Sequence, residues 1–375
     1  MTDPRLDSLA ALLLDYSLEL GPGDVLMIEA FDVAAPFVLA LHRAAVDRGA
    51  HAYVQLNLEG LDEILVEEAT DKQLTFVSDI QLKEVEAVDA IVTLLGRRNT
   101  RSFTQLDADR QRERFAASRV VRNRFWERVS AGDAKWVGTL MPTNAHAQDA
   151  GMSLSEYEKF VFGACHVSEG EDAGAHWRGV SAELSRRAGE LSGVRELRVV
   201  GPDTDLRLVV DGRTWAAADG RQNMPDGEVY TSPVEDGTEG EIRFTLPAIF
   251  NGRTVEDVRL RFEGGRVVQA EAARGEDYLR SLLDVDEGAR RLGEAAFGLN
   301  YEIDRFTGNI LFDEKLGGTM HFALGASFAQ LGGKNDSALH WDLICDLRDA
   351  GEVYADGELV WRNGSFVHEL EAARA

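Results

Sequence analysis

The sequence predicts an α/β N-terminal domain with a mainly parallel sheet, followed by an α+β C-terminal domain with a curved, mostly antiparallel sheet. Three observations carry this expectation. Strand-like and helix-like segments alternate through the first half, in the rhythm of βαβ units. The pattern changes near Leu191-Ser192-Gly193. From Glu196 onward, short alternating strands bounded by turn residues take over. The expected domains are residues 1–192 and 193–375, and a length of 375 residues suits two domains. With 44% apolar residues the chain can bury a core, which excludes a disordered protein.

Each element has its own justification. Residues 25–29 form an apolar run after the turn Gly21-Pro22-Gly23-Asp24 and read as a strand. Residues 34–47 show helical spacing, and residues 52–58 are strand-like again. Residues 90–95 and 135–141 are two further apolar runs, each beside a long helical pattern. In the second half, residues 197–199, 206–210, 242–246, 258–262 and 267–270 alternate as strands do. One helical block, about residues 276–297, interrupts them.

Sixty-five acidic residues outnumber 40 basic ones, for a net charge of −25. Such a field repels polyanions and anionic lipid, so neither nucleic acid nor a membrane surface is expected as a partner. Two distant cysteines, Cys165 and Cys345, make neither a disulfide framework nor a cysteine zinc site. No basic leader with a small-residue cleavage site is visible, and no stretch nears the ~20 apolar residues of a membrane span. The expected location is cytoplasmic.

Several signals carry less than they promise. Gly21-Pro22-Gly23 precedes its strand, whereas a phosphate-binding turn follows one, so it reads as a plain turn. Residues 97–128 hold ten Arg against four acids. An anion or RNA contact is one reading; an Arg face paired with acidic neighbours is the other, and net charge favours it. Cys165 and His166 are adjacent, so on a helix they diverge by about 100° and cannot pair as nucleophile and base. His42, His51, His176 and His368 read as isolated polar residues.

The chemistry concentrates in the C-terminal half, in glycine-framed segments that present Glu228, Glu294, His321, His340 and Asp342. In residues 339–347, Leu339, Trp341, Leu343, Cys345 and Leu347 form one apolar strand face, so His340 and Asp342 share the other. Met320, Phe322 and Leu324 likewise turn His321 the opposite way. Charged groups over a packed strand lose hydration, and a divalent cation is a usual compensation. Two imidazoles and three carboxylates suit zinc, cobalt or manganese and exceed one closed tetrahedral site. Two ions sharing a bridging carboxylate are expected, with scattered surface residues as the simpler reading.

The strings Asp226-Gly-Glu-Val-Tyr-Thr-Ser-Pro233, Asp313-Glu-Lys-Leu-Gly-Gly-Thr-Met-His321 and Ser337-Ala-Leu-His-Trp-Asp342 resemble the metallo-aminopeptidase family that includes aminopeptidase T, aminopeptidase S and PepS. So do Pro142-Thr-Asn-Ala145 and Ala150-Gly-Met-Ser-Leu-Ser-Glu-Tyr157, and the resemblance runs over nearly the whole chain. It implies removal of N-terminal residues from peptides with a free N-terminus by two divalent ions (zinc, cobalt, manganese or magnesium). It also implies a homodimer with the metal site in the C-terminal domain. Carried over, the ligands are Glu228, Glu294, His321, His340 and Asp342. Glu294 is the candidate for a metal-bridging or proton-handling role.

One position departs from the resemblance. The family often has Tyr seven residues past the first metal-site histidine, and here it is Phe328. Phe cannot stabilise an oxyanion, so the rate is lower, another donor such as Tyr301 or Lys315 substitutes, or the activity differs. The alternative activity is that of relatives resembling ring-opening dioxygenases of dihydroxypyridines. There one ferrous ion would sit on His321, His340 and Asp342, and Glu228 and Glu294 would be superfluous. A third reading is an inactive metal-binding protein.

Overall fold

The structure, a computed structural model, describes residues 3–168, 170 and 172–367. It divides into two compact units: Met1–Trp177 with Gly220–Pro225, and Arg178–Asp219 with Asp226–Ala375. The units interleave, which the single cut expected between residues 192 and 193 does not describe. Residues 220–225 return to the first unit and contribute the short strand Asn223–Met224. His368 lies outside the described residues.

The first unit is built on a five-stranded parallel sheet in the order His51–Asn57, Val25–Phe31, Ala90–Leu95, Lys135–Leu140, Asn223–Met224. Parallel pairing needs crossovers, and helices supply them. The helix Ala35–Asp47 begins with Pro36 in its first turn, where no intrahelical N–H is lost. Phe37, Val38, Ala40, Leu41 and Ala45 make its buried stripe. It stops at Gly49, whose φ of +74° suits glycine.

The arginine-rich segment is largely consumed inside this unit. Arg98 pairs with Asp32 and Glu59, Arg101 with Asp149, and Arg124 with Glu86 and Glu127. Arg110 donates to the carbonyls of Val66 and Ala69, and Arg128 to those of Val85 and Val88. These carbonyls end the helices Leu61–Glu68 and Asp79–Ala87, where cations are favoured. Cys165 is buried and its thiol is pushed up by burial. His176, expected to be isolated, stacks on His166 with ring centroids 3.4 Å apart.

The second unit packs two antiparallel sheets face to face. The larger has nine strands, with Thr204–Val209, Glu196–Gly201 and Glu352–Ala355 in its middle. The smaller runs His340–Asp346, Thr319–Gly325, Leu292–Gly298, Glu228–Thr231, Ala216–Ala218. One core joins them. It takes Leu197, Val199, Ile242 and Phe244 from the larger sheet and Phe297, Met320, Phe322, Leu324, Trp341, Leu343 and Cys345 from the smaller. The far face of the smaller sheet is thereby left for polar groups.

The helical block expected over residues 276–297 is shorter. The helix is Glu276–Leu283, with Leu279, Leu282 and Leu283 buried, and Leu292–Gly298 is a strand. Asp286 turns the chain between them, accepting from Ala289, Ser337 and Ala338. All seven residues of that strand are buried, so no polar alternation marks it in the sequence.

Phe297 is fully buried, with ring centroids 5.2 Å from both Trp361 and Phe366. Phe297→Ala is expected to cost about 3–5 kcal/mol, read from urea unfolding. A loss below about 1 kcal/mol would mean that this core collapses around the gap.

Candidate metal centre

The register of the smaller sheet decides which side chains meet. Residues directly opposite in adjacent strands point to the same face. Ala323 is opposite Asp342 and Gly325 is opposite His340. His321 is opposite Ala296, and Ala296 is opposite Tyr230. Alternation along each strand then puts Glu228, Tyr230, Glu294, Ala296, His321, His340 and Asp342 on one face.

Glu294 reaches that face through a bulge. The register shifts between Leu292 and Glu294. Leu292 joins the core although Glu294, two residues on, does not. A regular strand would send both the same way. The extra residue is Gly293, where a Cβ would lie 2.1 Å from the Ala326 carbonyl oxygen. The glycines near Glu294 thus serve strand packing; Gly298 similarly sits against the Leu316 carbonyl.

Both imidazoles are aimed from behind. His321 Nδ1–H donates to the Glu314 carbonyl and His340 Nδ1–H to the Ala326 carbonyl, each at 2.9 Å. This fixes the tautomer and turns both Nε2 atoms toward the carboxylates. The supports are themselves fixed. Asp313, next to Glu314, accepts from Thr307 N–H and Oγ1 at 2.7 and 2.8 Å. The Asn335 amide donates to the Gly288 and Gly325 carbonyls.

The two Nε2 atoms address different oxygens of Glu294. His321 Nε2 lies 3.6 Å from Oε1, and His340 Nε2 lies 3.2 Å from Oε2. His321 also faces Glu228 Oε2 at 3.7 Å, and His340 faces Asp342 Oδ1 at 3.7 Å. One carboxylate thus stands between an imidazole–carboxylate pair on each side. Glu294, His340 and Asp342 hold one ligand atom each within 4.8 Å of one another. Glu228 Oε2 and Asp342 Oδ1 are buried and take up no hydrogen bond. Imidazole nitrogens with fixed tautomers and carboxylate oxygens left without donors are a donor set that fits divalent cations.

The sequence reading named Lys315 only as a substitute donor for Phe328, and did not single out Asp226 or place either beside this set. Lys315 is fully buried, pairing with Glu314 and lying 3.9 Å from Asp226 Oδ1 and 4.0 Å from Glu228 Oε1. Its place next to Glu314 within a quoted motif was the available signal. Lys315 is therefore held among carboxylates, and the Tyr301 hydroxyl donates to the Gly364 carbonyl at 2.9 Å. Of the two substitute donors considered for Phe328, Tyr301 has its hydroxyl engaged, and Lys315 is fully buried and ion-paired with carboxylates.

Residues 2–366 match the family described as thermophilic metalloprotease (M29). The chain belongs to this family. Among curated relatives, it is 29% identical to aminopeptidase 2 of Geobacillus stearothermophilus, with 98% of this chain and 99% of that one aligned. It is 28% identical to aminopeptidase T of Thermus aquaticus, over 95% of each. Aminopeptidase AmpS of Bacillus subtilis is 30% identical over 64% of this chain and 65% of its own. The solved structure of wild-type AmpT from Thermus thermophilus has the same fold, with a TM-score of 0.86 at 24% identity over 97% of this chain and 99% of that one. The family resemblance read from the motifs and the two-part fold class are both borne out, and this M29 chain is a metal-dependent hydrolase.

Electrostatics of the donor set follow from the geometry. Burial works against ionisation of Glu294, but hydrogen bonds from His321 and His340 outweigh it and hold the carboxyl at about 2. Burial works against charging His340, yet Glu294 and Asp342 raise it to about 10. His321 is raised as well, with burial opposed by Glu294 and Glu228. Burial pushes Glu228 up to about 7, against the pull of Lys315 and His321. Without a cation His340 would carry a second proton until the pH approaches about 10, and a cation would displace it.

The sign of the pH dependence follows. His340 is raised from 6.5, so its contribution to stability is complete below pH 6.5 and lost as pH rises to about 10. Glu228 is raised from 4.5, so its protonated form favours folding and that advantage fades between pH 4.5 and about 7. Glu294 is lowered, so its contribution holds above 4.5 and is lost as pH falls toward 2. In excess chelator, the thermal midpoint of this M29 protein is expected to fall from pH 6.5 to 10; a midpoint that climbs over that interval contradicts the assignment.

Proposed function

We propose that the chain is a cytoplasmic, homodimeric metallo-aminopeptidase that hydrolyses the N-terminal peptide bond of peptides with a free N-terminus. Its catalytic domain is the second unit, which takes in most of residues 193–375. Glu228, Glu294, His321, His340 and Asp342 hold two divalent ions, zinc, cobalt, manganese or magnesium. The observation that carries this reading is Glu294, whose two oxygens face two different imidazoles. Glu294 would therefore be shared between the ions, with Glu228, His321, His340 and Asp342 as the other donors that would hold them. Family membership supports metal-dependent peptide hydrolysis, and the relatives' names support the amino end as the point of attack.

Bound divalent ions supply Lewis acidity and a water acidified toward neutrality. The chain's own residues do the rest. His321 and His340 present Nε2 because carbonyls occupy Nδ1. Glu294 is favoured as the bridge rather than the proton carrier, since both its oxygens face imidazoles. Lys315 holds Glu228 and Asp226 against mutual repulsion.

The ferrous dioxygenase reading gains no support. It has no use for Glu294, yet Glu294 stands between the two imidazoles it would need. Homodimerisation rests on the resemblance, and the cytoplasmic location on two buried free cysteines. Among the described residues, no helix is long and apolar enough to cross a membrane.

The test is a panel of aminoacyl chromogenic amides offered to chelator-stripped protein with each cation restored separately. Metal-dependent release from free-amine substrates and none from N-acetylated ones is expected. Glu294→Gln is expected to lower kcat/KM by about 10³-fold or more, roughly 4 kcal/mol of transition-state stabilisation. Calorimetric titration should find two ions per wild-type chain and fewer in that variant. Wild-type turnover in Glu294→Gln would remove the bridge from the proposal, and metal uptake without turnover on any amide would favour the inactive binding protein.

A further inference from the structure

We infer that Tyr230 is the oxyanion donor of this site, a catalytic residue on the same strand as Glu228. The inference rests on the hydrolase reading above. Amide hydrolysis adds the oxygen of water to the carbonyl carbon and turns the carbonyl oxygen into an alkoxide. The C–N bond then breaks, and the proton of the water leaves on the amine nitrogen. A neutral donor aimed at the alkoxide lowers that barrier and keeps its own proton throughout.

The described site face offers few such donors. Its carboxylates are acceptors, both imidazoles are engaged at each nitrogen, and Lys315 is fully buried among acids. Tyr230 has the needed placement. It lies two residues past Glu228 on one strand, so the two share the face. Ala296 stands opposite Tyr230, and His321 stands opposite Ala296, so only a methyl group separates the phenol's row from the imidazole. Glu294 is its diagonal neighbour, a separation that an aromatic side chain spans.

Ring contacts orient the phenol. Tyr230 packs edge-to-face with Phe328 at 5.4 Å between centroids, and Phe328 packs edge-to-face with His340 at 5.5 Å. Phe328 thereby links Tyr230 to a candidate ligand without offering a polar atom that competes for the hydroxyl. The backbone N–H of Phe328 donates to Ser232 Oγ, which ties residue 328 to Tyr230's own segment. Among the described residues no hydrogen bond takes up the Tyr230 hydroxyl, in contrast to Tyr278 and Tyr301, which donate to carbonyls.

The experiment compares wild type, Tyr230→Phe and the double variant Tyr230→Phe/Phe328→Tyr on a free-amine aminoacyl p-nitroanilide. Each carries the cation that best activates wild type. Tyr230→Phe is expected to lower kcat by about 10²-fold while KM stays within about threefold. The double variant, which returns a hydroxyl from the neighbouring ring, is expected to recover about tenfold or more. A second readout needs no turnover. Calorimetric affinity for an α-aminophosphonate should fall by a factor similar to kcat, with metal and free amino acid binding unchanged. Wild-type kcat and phosphonate affinity in Tyr230→Phe overturn the inference and leave the hydrolase reading standing. Parallel loss of metal binding makes Tyr230 structural and overturns it equally. If wild type cleaves no free-amine amide with any cation, both fall together.

Discussion

Burying Glu228 and Glu294 sets the terms for the second unit. Both are less than a tenth exposed. An ionised carboxylate taken from water costs several kcal/mol unless positive charge or hydrogen bonds meet it. The apolar core between the sheets offers neither. Lys315 supplies one fixed charge to Asp226, Glu228 and Glu314. His321 and His340 supply charge that depends on occupancy, since each Nδ1 is already tied to a carbonyl and only Nε2 is left for a proton or a metal. The same nitrogens that take protons without a cation are the ones that would take a cation in their place.

That arrangement requires a sheet with two unlike faces, and one irregularity makes it possible. Leu292, Ala295 and Phe297 go to the core, while Glu294 and Ala296 go to the site. Without the bulge at Gly293, either Leu292 would face the carboxylates or Glu294 would enter the core. The small residues matter for a similar reason. Ala296 and Ala323 lie between the polar side chains of neighbouring strands, so the polar row is not interrupted by bulk. Helix propensity and apolar content cannot substitute for this; the geometry comes from register.

How far the sequence revealed the site depends on how clearly each strand shows its period. In residues 319–325 and 340–346 the apolar side chains fall on every second position, so the faces of His321, His340 and Asp342 were legible. The parallel sheet of the first half was legible too, because its apolar runs sit between helices. The strand around Glu294 was not. It is buried on both faces and bulged, which removes alternation and mimics the end of a helix. Lys315 sits in a turn and Asp226 in irregular chain, where no periodicity tells burial from exposure. The pairing of Tyr230 with Phe328 joins residues 98 positions apart in the chain and depends on tertiary packing alone. The stacking of His176 on His166 escaped notice for the same reason.

The net charge of −25 bears on this chemistry through its sign. Much of the local positive charge in residues 97–128 is tied to carboxylates and helix-end carbonyls, so it does little to soften the overall field. A negative field draws cations from beyond contact distance, within a Debye length of about 8 Å at physiological ionic strength. Divalent ions are one such cation, and the α-ammonium at the start of a peptide is another. The carboxylate at the other end of the peptide is repelled by the same field. Long-range steering therefore favours the amino end of a peptide, and a protease acting at the carboxyl end would have to overcome it.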